Sequence, residues 1–94
     1  MALLQSQITL TAGVPQKMCG PRTSRRGLII KNHDAANPLE LGGSTVTATG
    51  ATGGLQLKAN DVLILTDANQ TIQGEEWWAV SAAGGIVSVV EQIY

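Results

Sequence analysis

The chain has 94 residues, 44% of them apolar and only 14% charged, with a formal net charge of −1, no Phe, two Trp, one Tyr and one Cys. A domain of this size buries roughly 60–65% of its unfolded surface, so Val, Ile, Leu and Ala must fill the interior and the stability margin is on the order of 5–10 kcal/mol. These values exclude an internal disulfide, a bilayer-spanning helix of about 20 apolar residues and a strongly basic nucleic-acid binder, and a surface this poor in charge is expected to be covered in use.

No helical signal survives, because Gly or Pro interrupts nearly every window in which apolar residues recur at i, i+3, i+4 and i+7. Short β-rich runs recur instead, each closed by a turn signal. The opening apolar run ends at Gln5, Ser6 and Gln7, so no signal peptide is expected. Residues 1–7 read either as a frayed terminus or as an extended arm that adds to a neighbour's sheet edge; the arm would keep Leu3 and Leu4 out of water. Residues 7–11 alternate, with Ile8 and Leu10 on one face, and Gly13-Val14-Pro15 closes that strand. Residues 19–24 read as loop.

Residues 26–31 contain Leu28-Ile29-Ile30, apolar on both faces, which predicts a central strand packed on both sides. Asn32 to Pro38 is a turn. Leu39-Glu40-Leu41 alternates, Gly42-Gly43 breaks, and Thr45-Val46-Thr47 predicts a further strand with Val46 inward. A glycine-rich loop follows, then Leu55-Gln56-Leu57, a turn at Asn60-Asp61 and the apolar run of residues 62–65. Asp67-Ala68-Asn69-Gln70 predicts a turn, residues 77–81 a strand and Ala82-Ala83-Gly84-Gly85 a hairpin turn. In the last strand, residues 86–93, Val87, Val89 and Glu91 share one face and Ile86, Ser88, Val90 and Gln92 the other. About eight short strands with a turn roughly every ten residues predict a single all-β domain over residues 1–94, a small antiparallel β-sandwich or barrel, jelly-roll-like.

The charge is split along the chain. Lys17, Arg22, Arg25, Arg26 and Lys31 all precede the first acid, Asp34, and every acid lies from there onward with only Lys58 among them. Opposite-sign surfaces steer docking, which suits a subunit that reaches onto a neighbour. Three guanidiniums between Arg22 and Arg26 can fork onto carboxylates or phosphates. The alternatives are a solvated strand edge whose charges block aggregation, contact with an acidic protein surface, or nucleic acid; the last is disfavoured because no aromatic residue interleaves the arginines. Trp77 and Trp78 on one strand must point to opposite faces, so one anchors the core and the other is an interface anchor, a packing residue or a sugar platform.

No catalytic constellation emerges. The glycines at 42–54 lack the Gly-Lys-Ser/Thr of a phosphate loop, and one His with one Cys cannot build a zinc site. His33-Asp34 reads as a solvated turn, with no nucleophile-elbow motif to support a triad. Asn69-Gln70-Thr71 reads as a polar turn and not a glycosylation acceptor, given no secretory signal, and the lone Cys19 suits a reducing cytosol.

Several segments recur in a familiar order. Leu10-Thr11-Ala12-Gly13-Val14-Pro15-Gln16 leads into Ser24-Arg25-Arg26-Gly27-Leu28-Ile29-Ile30-Lys31-Asn32. Leu41-Gly42-Gly43-Ser44-Thr45-Val46-Thr47, Gly54-Leu55-Gln56-Leu57, Val62-Leu63-Ile64-Leu65 and Trp77-Trp78-Ala79-Val80-Ser81-Ala82 follow. This order, over about residues 10–91, resembles small all-β virion proteins of tailed bacteriophages, of the capsid decoration or cement type. The resemblance implies a structural subunit, not an enzyme, without cofactor or metal. It implies a homo-oligomer, trimer favoured over dimer, bound to the major capsid protein on the outside of the shell, with neither nucleic acid nor membrane as partner. Its place would be the virion surface after synthesis in the host cytoplasm. Leu3, Leu4, Arg22, Arg25, Arg26 and Trp78 are the candidate interface residues. A tail, baseplate or adaptor subunit, or a carbohydrate-binding sandwich using the exposed Trp, are the alternatives.

Overall fold

The computed structural model of the chain describes residues 2–51, 53–65 and 75–93. Among these, eight strands occur: β1 (Ala2–Leu10), β2 (Gln16–Cys19), β3 (Arg25–Asn32), β4 (Leu39–Gly42), β5 (Leu55–Leu57), β6 (Val62–Leu65), β7 (Trp77–Val80) and β8 (Gly85–Ile93). They form two four-stranded antiparallel sheets, in the orders β1-β8-β3-β6 and β2-β7-β4-β5. β1 pairs with β8, β2 with β7, β3 with β6 and β4 with β5, the nested pairing of one long hairpin folded over on itself. The contacts β3–β8 and β4–β7 then complete each sheet. This is an eight-stranded jelly roll.

The period-2 alternation of β3 and β8 builds one wall of the core. Leu28, Ile30, Val87 and Val89 point inward and are at most 1% exposed. Met18, Cys19, Leu39, Leu41, Leu57 and Ala79 meet them from the other sheet, and Ile8, Leu63, Leu65 and Trp77 pack around the margin. Each fully buried aliphatic side chain contributes roughly 1.5–3 kcal/mol, so a core without Phe is sufficient. Asn32, the one amide buried at the end of β3, donates to Asn37 O at 3.0 Å and Lys58 O at 3.1 Å and accepts from Asp34 N at 3.0 Å, so three segments close over one polar side chain.

Several expectations change. Residues 2–7 do not detach as an arm; they are the first part of β1, paired with the chain's own β8 from Ala2↔Ile93 onward. Residues 45–47 are not a strand: Val46 N donates to Gly43 O and Gly50 N to Thr47 O, turning the segment back onto the outer face of the second sheet. The missing strand is replaced by β2, which the sequence reading passed over. Ala82 to Gly85 is not a hairpin turn, because β7 and β8 lie in different sheets. β3 is central in its sheet but packed on one side only, with Ile29 40% exposed. The turn expected at residues 67–70 and the motif Asn69-Gln70-Thr71 lie outside the described residues.

Candidate interaction surface

The charges that the sequence separates are brought together by the nested topology. β1 begins, β8 ends and β3 begins at the same end of the first sheet, so Leu4 and Leu28 both register with Glu91. Arg25, 2% exposed, starts β3 there. Its Nε donates to Glu91 Oε1 at 2.8 Å and its Nη2 lies 2.6 Å from the same oxygen. Nη1 donates to Glu75 O at 2.9 Å and Nη2 to Gly20 O at 2.7 Å, linking the segments that follow β2 and precede β7. Arg25 is therefore an internal clamp and not a surface contact, which corrects its place among the interface residues. The sequence carried only part of the signal: Glu91 shares a face of β8 with Val87 and Val89, which the fold turns inward, but no local pattern names the cation that pairs with it.

Arg22 remains at the surface, its Nε 3.4 Å from Glu91 Oε1. Arg26 follows Arg25 at a register shift in the β3–β8 pairing and is partly buried. On the second sheet, Lys17 Nζ sits 5.9 Å from the centre of the Trp78 ring and 3.8 Å from Glu76 Oε2. Basic residues of the first third thus face acids of the last quarter within one chain, and part of the split charge is consumed by folding.

The two tryptophans divide as β geometry requires: Trp77 packs on the core and Trp78 lies on the outer face. Glu40 and Val80 register with each other on that outer face, where Val46 folds down against Gly42 and Gly54. Glu40 is 7% exposed, and among the described residues neither its Oε2 nor Trp78 Nε1 has a hydrogen-bond partner.

Two further surfaces are open. The outer face of the first sheet carries a row Gln5–Val90–Ile29–Ile64 across all four strands, with Ile29 40% and Ile64 60% exposed. At the β1 end of this row lies a shallow depression of about 370 Å³ lined by Gln5, Ser6, Gln7, Ser88, Val89 and Val90. Leu3 and Leu4, 68% and 38% exposed, sit on β1 itself.

His33 Nε2 lies 2.7 Å from Ser88 Oγ, but the neighbouring carboxylate is turned away: Asp34 Oδ1 accepts from Ala36 N at 2.8 Å and Asn37 N at 3.0 Å. The three side chains do not form a relay. Burial pushes the Cys19 thiol above its ordinary range, against the opposing pull of the Arg25 guanidinium, so it stays protonated at neutral pH. Among the described residues no group of three His, Cys, Asp or Glu is placed to hold a metal, and no helix is long and apolar enough to cross a membrane.

Fold and surface define a small jelly-roll module with an uncharged edge strand, exposed isoleucines on the outer face of one sheet and an Arg25–Glu91 pair enclosed at its end. No family model and no curated protein matches the chain. Among solved structures, it is similar to the crystal structure of the stem and receptor binding domain of the spike protein P1 from bacteriophage PM2, with a TM-score of 0.63, 18% sequence identity and 88% of this chain covered. The chain spans 30% of the length of that spike chain. At this identity the likeness is one of fold.

Proposed function

We propose that the chain is a structural protein of a bacteriophage virion that acts by binding coat proteins and not by chemistry. The observation that carries this reading is the superposition on a domain of a phage spike, over 88% of the chain. The exposed Ile29, Ile64 and Ile86 on the first sheet and the low share of charge support it, because both are costly on a free monomer and useful in an assembly. Within the virion, we assign it to the decoration class: a homo-oligomer seated on the major capsid protein. Such a subunit binds the assembled lattice and not dissociated shell protein, and so shifts the shell toward the intact form.

A second reading, an attachment module of the spike type, is favoured by the receptor binding domain of the similar spike protein. Binding to purified shells separates the two. A decoration protein saturates shells that lack it and raises their disassembly temperature; an attachment module leaves the bare lattice unbound and binds host cells. Failure to bind either shells or cells would sink the virion reading. Sugar stacking on Trp78 is the weaker alternative, since the Lys17 ammonium already lies over that ring; unchanged Trp fluorescence across a glycan panel would eliminate it.

A further inference from the structure

Among the described residues, β1 is an edge strand without the usual protections. Natural edges carry lysine, proline, a bulge or a covering loop to prevent pairing with another chain. β1 is nine residues long, contains no charged residue and no proline, and keeps unbroken register with β8 from Ala2↔Ile93 to Leu10↔Gly85. Its first six residues are all exposed. Among the described strands nothing pairs with its second edge.

The middle of the strand, residues 4–8, is palindromic in character: around Ser6 stand Gln5 and Gln7, then Leu4 and Ile8. Antiparallel pairing of two copies about Ser6 sets Gln5 against Gln7 and Leu4 against Ile8, like against like, with Leu3 against Thr9 beyond them and no charge to repel. A partner of unrelated sequence would have no reason to match this pattern, whereas a two-fold contact meets itself by construction.

We propose that β1 pairs with β1 of a second copy about a two-fold axis at Ser6, joining two four-stranded sheets into one of eight. The contact joins the outer faces of the two sheets through Leu3, Gln5, Gln7 and Thr9 of each β1, and the Leu3 and Leu4 side chains gain cover that the monomer does not give them. A nine-residue edge is about 30 Å long, and with side chains about 10 Å thick it covers ~300 Å² per copy, well below the ~800 Å² of a standard interface. The dimer is therefore concentration-dependent. The proposal rests on the homo-oligomer part of the function given above and not on a place in the virion: crosslinking reads the first, and copy number in particles reads the second.

The test is Ser6→Cys in the 94-residue chain. Residues facing each other in an antiparallel pair have Cα atoms about 4.5–5.5 Å apart, within disulfide range. Mild oxidation is expected to give a covalent dimer. Thr9→Cys, also exposed, would place its two thiols about 20 Å apart and is expected to stay monomeric. Ser6→Lys sets two ammonium groups face to face and is expected to lower the association constant roughly tenfold, with restoration when mixed with Ser6→Glu. Unchanged circular dichroism melts establish that the variants fold. A monomer at every concentration by sedimentation, a trimer, or equal crosslinking at positions 6 and 9 would each overturn the proposal.

Discussion

Arg25 and Glu91, 66 residues apart, share a single carboxylate oxygen, which takes Arg25 Nε at 2.8 Å and Nη2 at 2.6 Å. The Arg25 side chain is fully enclosed, while Glu91 keeps 13% of its side chain exposed. Removing one partner of a buried pair strands the other charge, so Arg25→Ala is expected to cost about 3–5 kcal/mol in urea unfolding, with Glu91→Ala close behind. Arg25→Lys would not rescue, because an ammonium cannot reach Glu91, Glu75 and Gly20 in one fork. Arg22→Ala, at the exposed side of the same acid, is expected to cost less than about 1 kcal/mol. Equal losses at Arg22 and Arg25 would contradict the clamp.

That contrast also marks what the sequence could reveal. The alternation in β8 put Glu91 on the same face as Val87 and Val89, but did not tell which of the two faces was inward. Burial of Arg25 was not legible, because its acceptors, Gly20 O, Glu75 O and Glu91, come from three distant segments. β2 was hidden by its own irregularity: the register shift between Lys17 and Cys19 places Met18 and Cys19 side by side in the core, which breaks the alternation that identifies a strand. Thr45-Val46-Thr47 alternates like a strand, but turns at Gly43 and Gly50 fold it over Glu40 instead. The nested pairing of strands from opposite ends of the chain leaves no local trace at all.

Glu40 is the reverse of Arg25, a buried carboxylate with no partner for Oε2 among the described residues. Replacing an unsatisfied polar group by an apolar one of similar volume removes a desolvation cost, so Glu40→Leu is expected to stabilise by on the order of 1–3 kcal/mol. Thermal unfolding measures it; a lower melting temperature would contradict the expected gain.

Gly84 tests the crossing from β7 to β8. Its φ is 80°, and a Cβ there would lie 2.9 Å from Leu10 O. Gly84→Ala is expected to destabilise by about 1–3 kcal/mol, whereas Gly20→Ala, which meets nothing within 4 Å, should fall within about 0.5 kcal/mol of the parent. Urea midpoints of the two variants decide it.

Part of the acid sensitivity should trace to the 34–38 turn. Backbone N–H donation from Ala36 and Asn37, with the Asn37 amide, holds the Asp34 carboxyl below its ordinary value of 3.8. A depressed folded value contributes stability above the unfolded value, and that contribution is lost as pH falls through the folded one. Stability is therefore expected to decline from about pH 4 downward, and Asp34→Asn to flatten that decline. Denaturant midpoints at about pH 5 and about pH 2.5 for both proteins check the slope; identical slopes would remove Asp34 from the account.

The most direct measurement of the proposed role is the amount of this chain in purified phage particles, by quantitative mass spectrometry against the major shell protein. A decoration subunit gives a ratio that is a simple fraction of the shell protein's copy number, and a spike-type module gives a few copies per particle. Absence of the chain from particles would contradict a virion role altogether.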